Sequence, residues 1–324
     1  MSLKNSIKRL YNSDLYHGSR RSKRFFEGWY FKLISADESS ALALIPGVAM
    51  DENGKQHAFI QILDGKKRQA EYIKFTFESF FAQEDRFLVK IGESQFSKNE
   101  VILNHEKIKG HLTFSKTIPW PSTLFSPGIM GPFSFFPFLE CYHGIVSMNH
   151  IINGGLEYKN KAYDFTNGKG YAEKDWGHSF PEAYFWMQSN HFTNDKISVK
   201  ASVAKIPWLG TSFIGFIAGI WINDEIIQFT TYNFSKLKRS FADENEVKLI
   251  MENKNHYLEI TASRESATSL ASPIGGFMDG RINESMTDTL HVKLIDKKKD
   301  VILLDDEGRN AGVEVAGDIQ QIII

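Results

Sequence analysis

Lys196-Ile197-Ser198-Val199-Lys200-Ala201-Ser202-Val203 alternates strictly, with Ile197, Val199, Ala201 and Val203 on one face and Lys196, Ser198, Lys200 and Ser202 on the other. A period of two is the mark of a strand with one dry and one wet face. Ile73, Phe75 and Phe77 alternate in the same way with Lys74, Thr76 and Glu78, and Leu290, Val292 and Leu294 with His291 and Lys293. Asn53-Gly54, Asp64-Gly65 and Asn167-Gly168 supply hairpin-type turn signals between such runs. Helical periodicity is scarce, and a single short helix is expected near residues 4–12. The reading is all-β, with many antiparallel strands at short spacing and few helices.

The two halves of the chain look alike. Glu27 to Lys32 heads one series of strands, followed by Ala41 to Met50 and His57 to Leu63. Tyr184 to Ser189 heads another, followed by Ile197 to Val203 and Gly215 to Ile222. Trp29 and Trp186 stand in matching places, as does the tryptophan that plugs a lipocalin-like barrel. The expectation is two tandem lipocalin-like antiparallel barrels, over residues 21–180 and 181–324, behind a basic arm at 1–20. A barrel of eight strands is just wide enough for one small apolar ligand.

A chain of 324 residues suits two domains of about 150 residues. With 42% hydrophobic and 24% charged residues, it has the composition of a folded protein rather than a disordered one. The 26 Phe, 11 Tyr and 6 Trp favour β structure and large apolar cavities. A net charge of −1 argues against a general nucleic-acid binder. One cysteine, Cys141, excludes an intrachain disulfide and a Cys-rich zinc site. The basic start is not followed by an apolar secretory segment, and the longest apolar run, Phe213 to Ile222, is too short to span a bilayer. The expected location is cytoplasmic. Lys4, Lys8, Arg9, Arg20, Arg21, Lys23 and Arg24 face a single acid, Asp14, in the first 24 residues. Such an arm is ordinarily solvated; a peripheral contact with an anionic membrane is the alternative.

There is no Gly-x-Ser-x-Gly elbow, phosphate loop or Gly-x-Gly-x-x-Gly turn, so acyl transfer, phosphoryl transfer and nicotinamide chemistry have no support. Two stretches stand out. Phe125 to His150 is rich in Phe, is broken by Pro127, Pro132 and Pro137, and ends in Glu140, Cys141, Tyr142 and His143. It reads as an aromatic loop that lines a cavity mouth or meets lipid, or as a buried connection. The second runs from Gly168 to His178. On a strand, Tyr171, Glu173 and Asp175 share one face. That face could point into a barrel, where a carboxyl keeps its proton; the alternative is a polar turn with Lys174 and Asp175 in water.

FEGWYFK (26–32), PGIMGPFSFFPFLECYHGIVSMNH (127–150), YAEKDWGHSFP (171–181) and WMQSNHF (186–192) resemble the tocopherol cyclase family, and the resemblance runs from about residue 20 to the C-terminus. The Gly-Tyr-x-acid-x-x-Trp-Gly element at 170–177 is also similar to one in carotenoid 1,2-hydratases and related calycin-like proteins. The resemblance implies two calycin-type barrels and, without a plastid transit segment, a bacterial-type member. It implies acid-initiated alkene chemistry with no metal, nucleotide or redox cofactor. A prenylated hydroquinone is protonated at the alkene nearest the ring, and the phenol oxygen traps the tertiary cation to form a chromanol. In a hydratase, water traps the cation; a non-catalytic isoprenoid carrier is the remaining alternative. Glu173 is the first choice for the acid and Asp175 the second, with Tyr171 and His143 orienting it or handling the phenol proton. Trp29, Tyr30, Phe135, Phe136, Glu140, Tyr142, Trp176, Trp186 and Asn190 are the expected substrate contacts, although Trp29, Trp176 and Trp186 could instead be barrel plugs. His143, His150, His178 and His191 lack a tight metal-ligand spacing, so no metal is expected. The site is expected near the domain junction, between the 125–150 loop and the 171–178 turn.

Overall fold

The computed structural model describes residues 3–265 and 267–324, with side chains from residue 7 onward. One short helix, α1 (Leu3–Tyr11), precedes the strands. The chain forms two compact units. One runs to Phe180 and includes Ala271–Arg281; the other comprises Pro181–Leu270 and Ile282–Ile324.

In the first unit the strands begin with β1 (Phe25–Ile34), β2 (Ala41–Met50), β3 (Gln56–Asp64) and β4 (Gln69–Phe75). There follow β5 (Phe80–Ala82), β6 (Leu88–Ile91), β7 (Ser94–Ser97), β8 (Glu100–His105) and β9 (Ile108–Ser115). The long β10 (Cys141–Tyr158), β11 (Lys161–Asp164) and β12 (Gly168–Gly177) complete the set. They make one sheet in the order β4-β3-β2-β1-β12-β10-β9-β8-β7-β6-β5, with β11 beside β10. The second sheet starts with β13 (Ala183–Ser189), β14 (Ser198–Trp208), β15 (Thr211–Ile222) and β16 (Glu225–Thr230). It continues with β17 (Lys236–Ala242), β18 (Glu246–Glu252), β19 (His256–Ser263), β20 (Thr268–Ile274), β21 (Phe277–Asp296) and β22 (Val301–Gly317). Its order is β16-β15-β14-β13-β22-β21-β19-β18-β17. The two orders match: four strands meander, and the last strand of each sheet returns to pair with the first. The duplication seen in the sequence is thus a repeat of topology.

The all-β expectation holds, but the sheets are not closed barrels. The path of the first ends at β4 and β5 and that of the second at β16 and β17, and among the described residues no ladder joins those ends. Phe75 and Phe80 are only five residues apart, so the two edges lie within about 18 Å and the sheet must curl. The seam stays open because the chain there turns on itself. Phe77–Ser79 is a 3-10 turn in which Ser79 N–H donates to Thr76 O at 3.1 Å. In the second sheet Asn233 N–H donates to Thr230 O at 3.3 Å. Backbone groups used in turns are not available to a ladder.

Alternation packs each core. Ile197, Val199, Ala201 and Val203 all lie in the second core with Phe185, Met187, Leu290, Val292 and Leu294. Trp29, Phe31, Leu33 and Ile73 lie in the first. Trp29 is fully buried, stacks on Phe87 at 5.6 Å and donates from Nε1 to Asp14 O at 2.9 Å. Trp186 is not its counterpart: its neighbours Phe185 and Met187 face the second core, so Trp186 leaves the strand on the other side. A shift of one residue along a strand exchanges its faces.

The basic arm is not a free, solvated tail. Leu15 and Tyr16 are buried, Arg9 is 8% exposed, and Arg9 Nη1 donates to Ser19 Oγ at 2.6 Å. The Lys4 side chain lies outside the described residues. No helix among the described residues is long and apolar enough to cross a membrane.

Candidate active site

Residues 168–177 form a strand in the middle of the first sheet, not a turn. β12 pairs with β1 on one side and β10 on the other, so Trp29 lies opposite Lys174, Tyr30 opposite Glu173, and His143 opposite Asp175. The two stretches singled out in the sequence therefore meet as ladder partners, although the loop gives way to strand at Cys141. Gly177 allows this close approach: at φ 153, a Cβ there would stand 2.1 Å from Glu140 O.

Tyr171, Glu173 and Asp175 do share a face, together with Tyr30 and His143. The Tyr171 hydroxyl donates to Glu173 Oε2. His143 Nε2 lies 3.4 Å from that same oxygen without a hydrogen bond, and its Nδ1 is 2.7 Å from Asp175 Oδ1. Tyr171 is fully buried and Glu173 is 5% exposed. Burial first, and then the Glu173 charge, push the Tyr171 phenol well above its usual range. This face does not point into the barrel-like core, as the sequence had suggested. Ala172 and Trp176 belong to the core side, so parity puts Glu173 on the opposite side. The ligating atoms of His143, Glu173 and Asp175 lie within 4.8 Å of one another, close enough to hold a metal ion.

The core side of the same strand carries a second cluster. Lys174 is fully buried, with Nζ 2.5 Å from Glu27 Oε1 and 2.9 Å from His17 Nδ1, and it also donates to Leu15 O. Both Glu27 oxygens accept from His17 N–H at 2.9 Å. Burial alone would raise the Glu27 carboxyl, but Lys174 and His17 hold it below its ordinary value. Burial lowers the Lys174 amine against the pull of Glu27. The Lys174 ammonium sits 4.8 Å from the centres of both the Trp29 and Trp176 rings.

A cavity of about 580 Å³ adjoins both clusters, with His143, His17, Trp176, Tyr142, Phe138 and Arg21 among its walls. Trp176 is stacked between His17, at 4.1 Å, and Tyr142, at 5.5 Å. Of the expected substrate contacts, Trp176 and Tyr142 line this cavity, and Tyr30 lies beside Glu173 in register; of the expected catalytic residues, His143 lines it and Tyr171, Glu173 and Asp175 do not. Phe135 and Phe136 are exposed at 45% and 37% and are not among its walls. Glu140 contributes its carbonyl, which accepts from His178 N–H at 2.8 Å. Trp29 is in the core. Trp186 and Asn190 are buried in the second unit.

The tocopherol cyclase-like family model matches residues 105–317, more than half of the chain. The chain belongs to the tocopherol cyclase-like family. The match starts after FEGWYFK, so it covers the Glu173 strand but not its β1 partner. The chain is 28% identical over 195 residues to a probable chloroplastic tocopherol cyclase of Oryza sativa subsp. japonica, covering 56% of this chain and 41% of that protein. It is 28% identical over 192 residues to the chloroplastic tocopherol cyclase of Zea mays, covering 56% and 40%. The alignment thus spans about two fifths of these relatives. Among solved structures, CghA with Sch210972 has a TM-score of 0.58 at 9% identity, covering 91% of this chain and 89% of that one. A putative AttH from Nitrosomonas europaea has a TM-score of 0.56 at 13% identity, covering 98% and 97%. These likenesses extend over both units and establish the fold.

In this family member, some cavity residues lie outside the motifs. His17 and Arg9 reach the cavity from the N-terminal segment, where the density of basic residues marks Arg9 and nothing marks His17. Lys174 was visible inside the motif, but nothing in its neighbours announced a buried ion pair.

Proposed function

We propose that this chain is a cofactor-independent cyclase that converts a prenylated hydroquinone into a chromanol. The observation that carries the reading is the Tyr171–Glu173–His143–Asp175 network, with His143 at the wall of an aromatic cavity. The names of the rice and maize relatives support it. Glu173, in its protonated form, is the source of the proton, which His143 at the cavity wall delivers to the alkene nearest the ring. The π bond breaks, a C–H bond forms, and the phenol oxygen closes on the tertiary cation. The phenol proton passes to the His143–Asp175 pair and returns to Glu173 across the 3.4 Å contact, so the reaction is a net isomerisation. The aromatic faces of Trp176 and Tyr142 suit a passing cation.

The test is incubation of the protein with a prenylated hydroquinone in D2O. The expected product is the chromanol carrying one deuterium, on the carbon next to the new ether carbon. A tertiary alcohol would replace this reading with hydration, and tight binding without turnover would replace it with a carrier.

A further inference from the structure

The cavity beside His143 has a charge pattern that the cyclisation does not use. Arg9, Arg20, Arg21 and Arg24 line it, and among the described residues no aspartate or glutamate does. Arg9 is buried and fixed through Ser19, whereas Arg20, Arg21 and Arg24 are exposed. Arg21 also lies 5.8 Å from the centre of the Phe25 ring, another wall residue. Their field reaches the neighbouring groups: after burial, the charges of Arg24 and Arg21 hold the His178 imidazole below its ordinary value. Much of the remaining wall is apolar, with Trp176, Tyr142, Phe138, Leu139 and Pro137. A neutral prenylated hydroquinone offers these guanidinium groups hydrogen-bond acceptors but no negative charge to pair with. A planar guanidinium matches a carboxylate or phosphate in both shape and charge.

We propose that this cavity binds an anionic amphiphile, with its carboxylate or phosphate on Arg20, Arg21 and Arg24 and its apolar body along Trp176, Tyr142 and Phe138. The proposal rests on the cyclase reading only in taking this ligand as the substrate, which would then carry an acidic group.

The test is fluorescence titration of the full chain with a dansyl-labelled fatty acid and with its methyl ester. The acid is expected to bind at least about tenfold more tightly, as a charge-assisted pair warrants. That preference should shrink as salt is added. The triple variant Arg20→Gln, Arg21→Gln, Arg24→Gln is expected to bind acid and ester alike while keeping the wild-type melting temperature. Equal binding of acid and ester by the wild type overturns the proposal, as does a preference that survives in the triple variant. Vesicles of phosphatidylglycerol and phosphatidylcholine separate a free ligand from a lipid headgroup. Arginine-dependent binding to the anionic vesicles, without a preference for the monomeric acid, overturns the cavity assignment in favour of a membrane surface. Turnover of a prenylated hydroquinone that carries a carboxylate is scored separately: its absence removes the cyclase reading and leaves the binding result standing.

Discussion

Tyr171, Glu173 and Asp175 leave one side of β12; Ala172, Lys174 and Trp176 leave the other. One side combines two carboxylates, a histidine and a tyrosine, the other a carboxylate, a histidine and a lysine, and they are built differently. On the core side, Lys174 donates to Leu15 O, His17 Nδ1 and Glu27 Oε1, so all three of its protons are used. The Glu27 and Lys174 side chains are 0% exposed. This cluster fastens the N-terminal segment to the sheet. On the other side the network is open-ended: the Asp175 side chain is 25% exposed, that of His143 is 14% exposed, and His143 Nε2 makes no hydrogen bond. Charges whose partners are complete act as scaffolding. An incomplete network at a cavity wall still has a proton to move.

The sharpest way to break that contrast is Glu173→Gln. The amide keeps the shape but cannot donate a proton at neutral pH, so turnover should fall by about 10²–10⁴-fold with melting nearly unchanged. Asp175→Asn should cost less if Asp175 only orients His143. Full activity in Glu173→Gln, measured as chromanol formation, would move the acid elsewhere. Lys174→Met should do the reverse. Removing one partner of a buried pair typically costs about 3–5 kcal/mol, read as a lower denaturant midpoint, and Glu27→Gln added to it should recover part of the loss. Unchanged stability in Lys174→Met would mean that the core-side pair is not structural.

The pH dependence of folding should also report the core side. Burial alone drops His150 to about 3. Burial and then Lys174 hold His17 below its ordinary value. Below about pH 6.5 the unfolded chain protonates these imidazoles and the folded one does not, so stability should fall with pH by up to about 1.4 kcal/mol per unit for each. For His150 that window ends near pH 3. The depressed Glu27 carboxyl should add a loss only at lower pH, as pH falls through its folded-state value. A flat denaturant midpoint between pH 6.5 and 4 would contradict the neutral, buried state of these imidazoles. The smallest expected effect is that of a chelator. Dialysis against EDTA should leave turnover unchanged if His143, Glu173 and Asp175 act through protons; loss that is restored by a divalent ion would make them a metal centre.

The alternation of apolar residues determined by itself that the chain is built of strands. Spacing by two determined that Tyr171, Glu173 and Asp175 stand together. The motifs marked the two segments of the candidate site. Alternation separates two faces but does not say which one the core will cover, because that depends on what the neighbouring strands present. Tertiary structure made the choice: Trp29 and Phe31, opposite Lys174 and Ala172, drew the even-numbered face inward. Pairing of β10 with β12 carried His143 to Asp175 across 32 residues, and folding of the N-terminal segment brought His17 to Lys174 across 157. Such contacts depend on strand register, which is set by the sum of many cross-strand pairs and is not written in any one stretch of chain.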